Sequence, residues 1–203
     1  MSENTQVRGF RLTFAELEVL NGDSPKWPRA RKVIGFDVPL YQGIIQGCGL
    51  ASLLAREYAV VKGDDIMVSD SLTEIAGRLL DSTHWVGVTV GNPDGIVSTM
   101  YGVNDNSSGR VYIAGVAPGV IEVLPFVDVP TPVEQLEQII ATDLKAGDLT
   151  LAIKPEAGAP MLIRRLSGQW LLGDAANPEA PYVASSQAEV MAKAHDLLVA
   201  NLP

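Results

Sequence analysis

The stretch that decides the fold is His84-Trp-Val-Gly-Val-Thr-Val-Gly91-Asn-Pro-Asp-Gly95-Ile-Val-Ser-Thr-Met-Tyr-Gly-Val103. Val86, Val88 and Val90 alternate with Trp85, Gly87 and Thr89, the period of a strand with one face buried. Gly91 to Gly95 is strong turn chemistry, built on Asn, Pro, Asp and two glycines. Ile96 to Val103 then reads as the returning strand. A hairpin therefore sits in the middle of the chain, and further strands extend it. Asn104 to Gly109 is a polar loop. Arg110–Ala114 and Val120–Phe126 are two more strands around Pro118-Gly119, which makes a four-strand antiparallel meander.

Helices flank this meander in sequence. Thr13-Phe-Ala-Glu16, Ser71-Leu-Thr-Glu74, Thr131-Pro-Val-Glu134 and Ser186-Gln-Ala-Glu189 each fit the capping box. There a hydroxyl accepts from the backbone N–H three residues on, and the carboxylate reaches back to the cap. Leu72, Ile75, Ala76, Leu79 and Leu80 form the apolar stripe of the second helix. Val133, Leu136, Ile139 and Ile140 form that of the third, which ends near Gly147. Val190, Ala194, Leu197 and Leu198 form that of the fourth. A further helix is expected over Tyr41 to Lys62, with Gly43 and Gly47 on one face to admit a close neighbour.

Beyond the third helix the logic repeats in shorter form. Leu149, Leu151 and Ile153 alternate, Met161–Leu166 returns, and Ser167-Gly168 turns the chain into Gln169–Leu172. A connector with Pro178 and Pro181 leads to the last helix. The reading is one α+β domain with a central antiparallel sheet, made of two halves at about 10–146 and 147–203, the second abbreviated. The halves suggest a degenerate repeat, although meander-plus-helix is also a common unit.

Composition excludes several classes of function. The 203 residues are 47% apolar and 19% charged, which is too apolar for disorder. The 15 Lys+Arg against 24 Asp+Glu give a net charge of −9, the wrong balance for a nucleic-acid or anionic-membrane binder. One cysteine and two histidines argue against a disulfide or a Cys/His metal site. No cofactor is expected. The amino terminus lacks a signal-peptide pattern, no window is long and apolar enough for a membrane span, and the free cysteine suits a reducing compartment. The expected location is the cytoplasm.

Cys48, in Gln46-Gly-Cys-Gly-Leu-Ala-Ser52, is the one nucleophile candidate. It resembles the cysteine at a helix start in papain-like hydrolases, where the helix N-terminus lowers the thiol pKa. His84 would be its base and Asn104 or Asp105 the orienting group. The alternative for Cys48 is a small buried hydrophobe. Arg164-Arg165 reads as a solvated edge, His195 as a surface residue, and Trp27, Trp85 and Trp170 as core or interface anchors. Gly91–Gly95 lacks a phosphate-cradle pattern and joins two strands.

The ordered pattern resembles the EspG family, cytosolic chaperones of mycobacterial type VII (ESX) secretion. The residues that carry the likeness are Leu12-Thr-Phe-Ala-Glu16, Ala55-Arg56, Leu72 to Leu80, and Ser82-Thr-His-Trp85-Val-Gly-Val. Gly91–Gly95, Arg110-Val-Tyr-Ile, Val120-Ile-Glu-Val, Ser167-Gly-Gln-Trp170 and Leu197, Leu198, Leu202-Pro203 continue it. The resemblance covers most of residues 10–145 and 148–203. It implies a quasi-two-fold molecule, a central antiparallel sheet flanked by two helical bundles. It also implies a non-enzymatic chaperone or adaptor that binds a helical secretion substrate, a PE–PPE-like pair or another helical hairpin. Partner contacts would involve the hairpin, here Gly91, Asn92, Pro93, Asp94 and Gly95. The chain is shorter than the family, the deficit falling before Leu149. A cysteine hydrolase using Cys48 and His84, or an EspG-fold interaction module acting as a homodimer, are the competing readings.

Overall fold

The computed structural model describes residues 9–35, 42–92, 95–104, 111–117, 119–125, 134, 138, 148–174, 177 and 182–202. The elements, in chain order, are β1 (Phe10–Thr13), α1 (Phe14–Asn21), α2 (Trp27–Val33), α3 (Gln42–Ala55), β2 (Ala59–Lys62), β3 (Asp65–Val68) and α4 (Asp70–Asp81). They continue with β4 (His84–Asn92), β5 (Gly95–Val103), β6 (Val111–Ala117), β7 (Val120–Pro125), β8 (Leu149–Pro155), β9 (Met161–Leu166), β10 (Gln169–Asp174), β11 (Val183–Ser185) and α5 (Gln187–Asn201). The class is α+β, and β1–β7, β6–β7, β2–β3, β4–β5, β4–β8, β8–β9, β9–β10 and β10–β11 all pair antiparallel.

The chain forms two compact units, and both are discontinuous. The first comprises Met1–Ser82 and Ser108–Val127, the second Thr83–Ser107 and Asp128–Pro203. These boundaries differ from the 146/147 division read from the sequence. The third capping box and its helix, Thr131 to Gly147, lie outside the described residues apart from helical Glu134 and Gln138. Helical bundles flanking a sheet are not evident among the described residues.

In the first unit the strands run in the order β1-β7-β6. Thr13 ends β1 and caps α1: its Oγ1 accepts from the Glu16 N–H at 3.2 Å, and Glu16 Oε2 accepts the Thr13 N–H at 2.7 Å. The expected capping box is therefore formed. The expected box at Ser71 is not. Helix α4 begins two residues earlier, behind Ser69, and Glu74 instead takes the Arg78 guanidinium at 2.6 Å. The apolar stripe of α4 is as expected, with Leu72, Ile75, Ala76 and Leu79 buried. Each buried Leu or Ile contributes about 1.5–3 kcal/mol.

The helix expected over Tyr41–Lys62 stops at Ala55. Arg56, Glu57 and Tyr58 donate their N–H groups back to Ser52, Leu54 and Leu53, and Glu57 turns left-handed at φ 59°. Val60 and Val61 then do what β-branched residues favour and enter a hairpin, β2–β3, closed by the Lys62–Asp65 pair. Its apolar side chains lie outside: Val60, Val61, Ile66 and Met67 are all exposed. The close approach predicted for Gly43 and Gly47 occurs at Gly49 instead. Nothing lies within 4 Å of a Cβ at Gly43 or Gly47, whereas a Cβ at Gly49 would collide with the Ala15 carbonyl of α1. Only one helix face touches α1, and Gly49 is the glycine on it.

In the second unit the order is β5-β4-β8-β9-β10-β11. Alternation settles the buried side: Val86, Val88, Leu151, Ile153, Ile163 and Leu172 are buried, and α5 adds Val190, Ala194 and Leu198. Trp85, Trp170 and, in the first unit, Trp27 are buried as expected. β11, read as connector, pairs with β10 through Leu172–Val183 to Trp170–Ser185. Ser186 then caps α5 with a complete capping box. Ser186→Ala is expected to cost about 1 kcal/mol, read as a lower urea midpoint. An unchanged midpoint would show that the cap carries no stability.

Candidate functional site

The hairpin expected to contact a partner is tighter than its composition suggests. Gly91 pairs with Ile96 and Asn92 with Gly95, so both strands run almost to the tip. Of the five predicted residues, Gly91, Asn92 and Gly95 belong to the ladder rather than to a loop. Two residues connect them, and these, Pro93 and Asp94, lie outside the described residues. Two-residue connections are the commonest hairpin solution, and the ladder extends accordingly.

Register places the neighbours. Gly91 is paired with Ile96 on β5 and with Thr150 on β8, and Thr89 with Ala152 on β8. These residues share the face opposite the Val86–Val88 row, because side chains alternate along a strand. Together with Asp148 and Leu149 they line an open, mainly apolar cleft of about 460 Å³. Ile96 stands 78% exposed at its rim. Gly91 keeps the floor low: a Cβ there would meet Ile96 and Thr150 at 3.9 Å, ordinary contact rather than a clash. Asp148 is tied in place by the Ser167 N–H, which donates to its Oδ1 at 2.9 Å.

Ile96, Thr150, Ala152 and Asp148 were not singled out from the sequence. The signal was present in the Leu149, Leu151, Ile153 alternation, whose complement, Asp148, Thr150 and Ala152, is the outward row. Farther along this unit, Arg164 and Arg165 correct the expectation of a solvated edge. The Arg164 guanidinium lies 4.7 Å from the Tyr182 ring centre and that of Arg165 lies 5.9 Å from Trp170. The Tyr182 ring in turn packs on Gly173, where a Cβ would come within 2.6 Å of it.

The cysteine candidate is built differently from its expectation. Cys48 is the seventh residue of α3, which starts at Gln42, and it is exposed. The expectation placed it at the helix start, and the structure places it in the second turn. It is also not the buried hydrophobe of the alternative reading. Cys48 belongs to the first unit and His84 to the second. Asn104 is in the second unit with His84, and Asp105 lies outside the described residues. His195 is exposed, 3.8 Å from Asp196.

Two segments that carried the family resemblance do meet. Arg56 Nη1 donates to Glu16 Oε1 at 2.8 Å, and Ser52 Oγ donates to the same oxygen at 2.8 Å. Arg56 Nη2 reaches the Arg11 carbonyl at 2.6 Å and the Tyr58 hydroxyl at 3.1 Å. Burial pushes the Glu16 carboxyl up, but the Thr13 N–H, Ser52, Arg56 and Thr13 hydroxyl bonds outweigh it, and its pKa lies below the usual value. This cluster pins β1, α1 and α3 together and is architectural.

Among the described residues no cluster of His, Cys, Asp and Glu could hold a metal ion, and no helix is long and apolar enough to cross a membrane. No family model and no curated protein matches the chain.

Proposed function

We propose that the protein is a non-enzymatic EspG-like chaperone or adaptor of type VII secretion, which holds a helical client on the outward face of β5, β4 and β8. The observation that carries this reading is the cleft beside Gly91, with Ile96 at its rim. An open apolar concavity with a few polar groups suits the apolar stripe of an amphipathic helix. Covering an aggregation-prone apolar tip is work that binding energy alone performs, and it needs neither a nucleophile nor a metal.

The quasi-two-fold character of the EspG fold is supported by one repeated local unit. In the first unit the end strand β1 leads directly into the capped helix α1. In the second unit the end strand β11 leads directly into the capped helix α5.

The test is co-expression with a PE–PPE-like pair or another helical-hairpin substrate, followed by co-purification. The wild-type chain carries the client with it. Gly91→Leu, which fills the cleft floor, and Ile96→Glu, which charges its rim, each weaken binding at least tenfold while leaving the melting temperature within a few degrees. A chain that elutes alone from every such co-expression overturns the reading. So does a client that binds Gly91→Leu as well as wild type.

A further inference from the structure

The joint between α1 and α2 concentrates buried polar atoms that have no protein partner. Glu18 and Asn21 lie three residues apart on α1, and Trp27 and Arg31 lie four apart on α2, so each pair shares a face of its helix. The two faces are joined where Arg31 Nη1 donates to Glu18 Oε1 at 3.1 Å. On these same two faces, Glu18 Oε2, Asn21 Oδ1 and Nδ2, Trp27 Nε1 and Arg31 Nε are all buried without a hydrogen-bond partner. The Glu18 side chain is 4% exposed. Asn21 and Trp27 are each 2% exposed.

Native proteins rarely leave such a group unsatisfied, because each orphan retains its full desolvation cost. The chemistry of the set identifies what completes it. Asn21 Nδ2, Trp27 Nε1 and Arg31 Nε are donors, while Glu18 Oε2 and Asn21 Oδ1 are acceptors. An anion would be repelled by the Glu18 carboxylate. A cation would meet three N–H groups. The species that both donates and accepts, and can therefore serve all five atoms, is water.

We propose that the α1–α2 joint is a built internal hydration site, in which bound water links the Glu18–Arg31 pair to Asn21 and Trp27. The docking of α2 on α1 then rests on bound water as well as on the direct Arg31–Glu18 pair. The hydration site explains why so short a helix carries an arginine and a tryptophan with inward polar atoms.

The direct test is water–protein cross-relaxation in the wild-type chain by NMR. The Trp27 indole N–H, assigned by its loss in Trp27→Phe, is expected to show a cross-peak to water with the sign of a long-lived bound molecule. A second measurement uses Asn21→Leu, which removes a donor and an acceptor at similar volume. With water present, the substitution strands it and the melting temperature falls. In a dry joint it removes two orphans and the melting temperature rises. Absence of the cross-peak, or a rise in melting temperature, overturns the proposal. Should Trp27→Phe not fold, selective indole labelling and paramagnetic relaxation from Cys48, in the same unit, assign the signal in its place.

Discussion

Gly49→Ala lowers stability by about 1–3 kcal/mol, the usual cost of overpacking, while Gly47→Ala, two residues away, raises it by about 0.5–1 kcal/mol. Both residues are interior to α3, so intrinsic helix propensity favours alanine at each. What separates them is the neighbour. A methyl at Gly49 would enter the Ala15 carbonyl and lie 2.9 Å from Val19 Cγ2, so α1 would have to move. A methyl at Gly47 meets nothing within 4 Å. Urea unfolding of the two variants reads the effect as midpoint shifts of opposite sign. Shifts of the same sign would show that α1 and α3 do not cross at Gly49.

Glu16→Ala costs about 3 kcal/mol. This is the low end for breaking a buried ion pair, because Arg56, with a side chain 34% exposed, keeps access to water. Glu16 itself is wholly buried and accepts from the Thr13 backbone and hydroxyl, Ser52 and Arg56. Its folded pKa is below the ordinary value of 4.5. The carboxylate form is therefore favoured by folding. The stability it contributes is fully present above about pH 4.5, the value taken for the unfolded chain, and is lost as pH falls through the lower folded value. Glu16→Gln removes this contribution, so the gap in stability between wild type and variant narrows as the pH is lowered below 4.5. A gap that stays constant from pH 6 to pH 3 would mean that Glu16 is not held as a carboxylate.

Elements whose periodicity is long and whose caps are local were legible in the sequence. The Val86–Val88 alternation, the Leu72–Leu79 stripe and the capping boxes at Thr13 and Ser186 all stand as read, since each depends on residues within a few positions. What was missed depends on partners far along the chain. Phe10–Thr13 is a strand because β7 supplies its ladder, with Phe10 opposite Val123. Val183–Ser185 is a strand because β10 does the same. Ala59–Lys62 falls within the helix expected over Tyr41–Lys62, because a run rich in Ala, Val and Leu satisfies either period, and the left-handed turn at Glu57 is what ends the helix before it. The Gly91–Gly95 turn was found but drawn too wide, since composition marks a turn without saying how far the ladder reaches into it. The cleft beside it needed the register of β8 on β4, a pairing across some sixty positions that no local pattern contains. Glu16 was legible as a cap, but its second role as the anion for Arg56 was not, because those residues are forty positions apart.

The discontinuity of the two units sets an order of events during synthesis. β4 and β5 emerge after α4 and before β6 and β7, so the first unit cannot close until Val127 has been made. The β4–β5 hairpin, for its part, waits for β8, which begins at Leu149. At a translation rate of roughly 5–20 residues per second, the edge of β4 stays open for about 3–11 s after Asn92 appears. Nascent chains halted between Asn92 and Leu149 therefore carry an unpaired backbone edge on β4, the kind of edge that templates pairing with another chain.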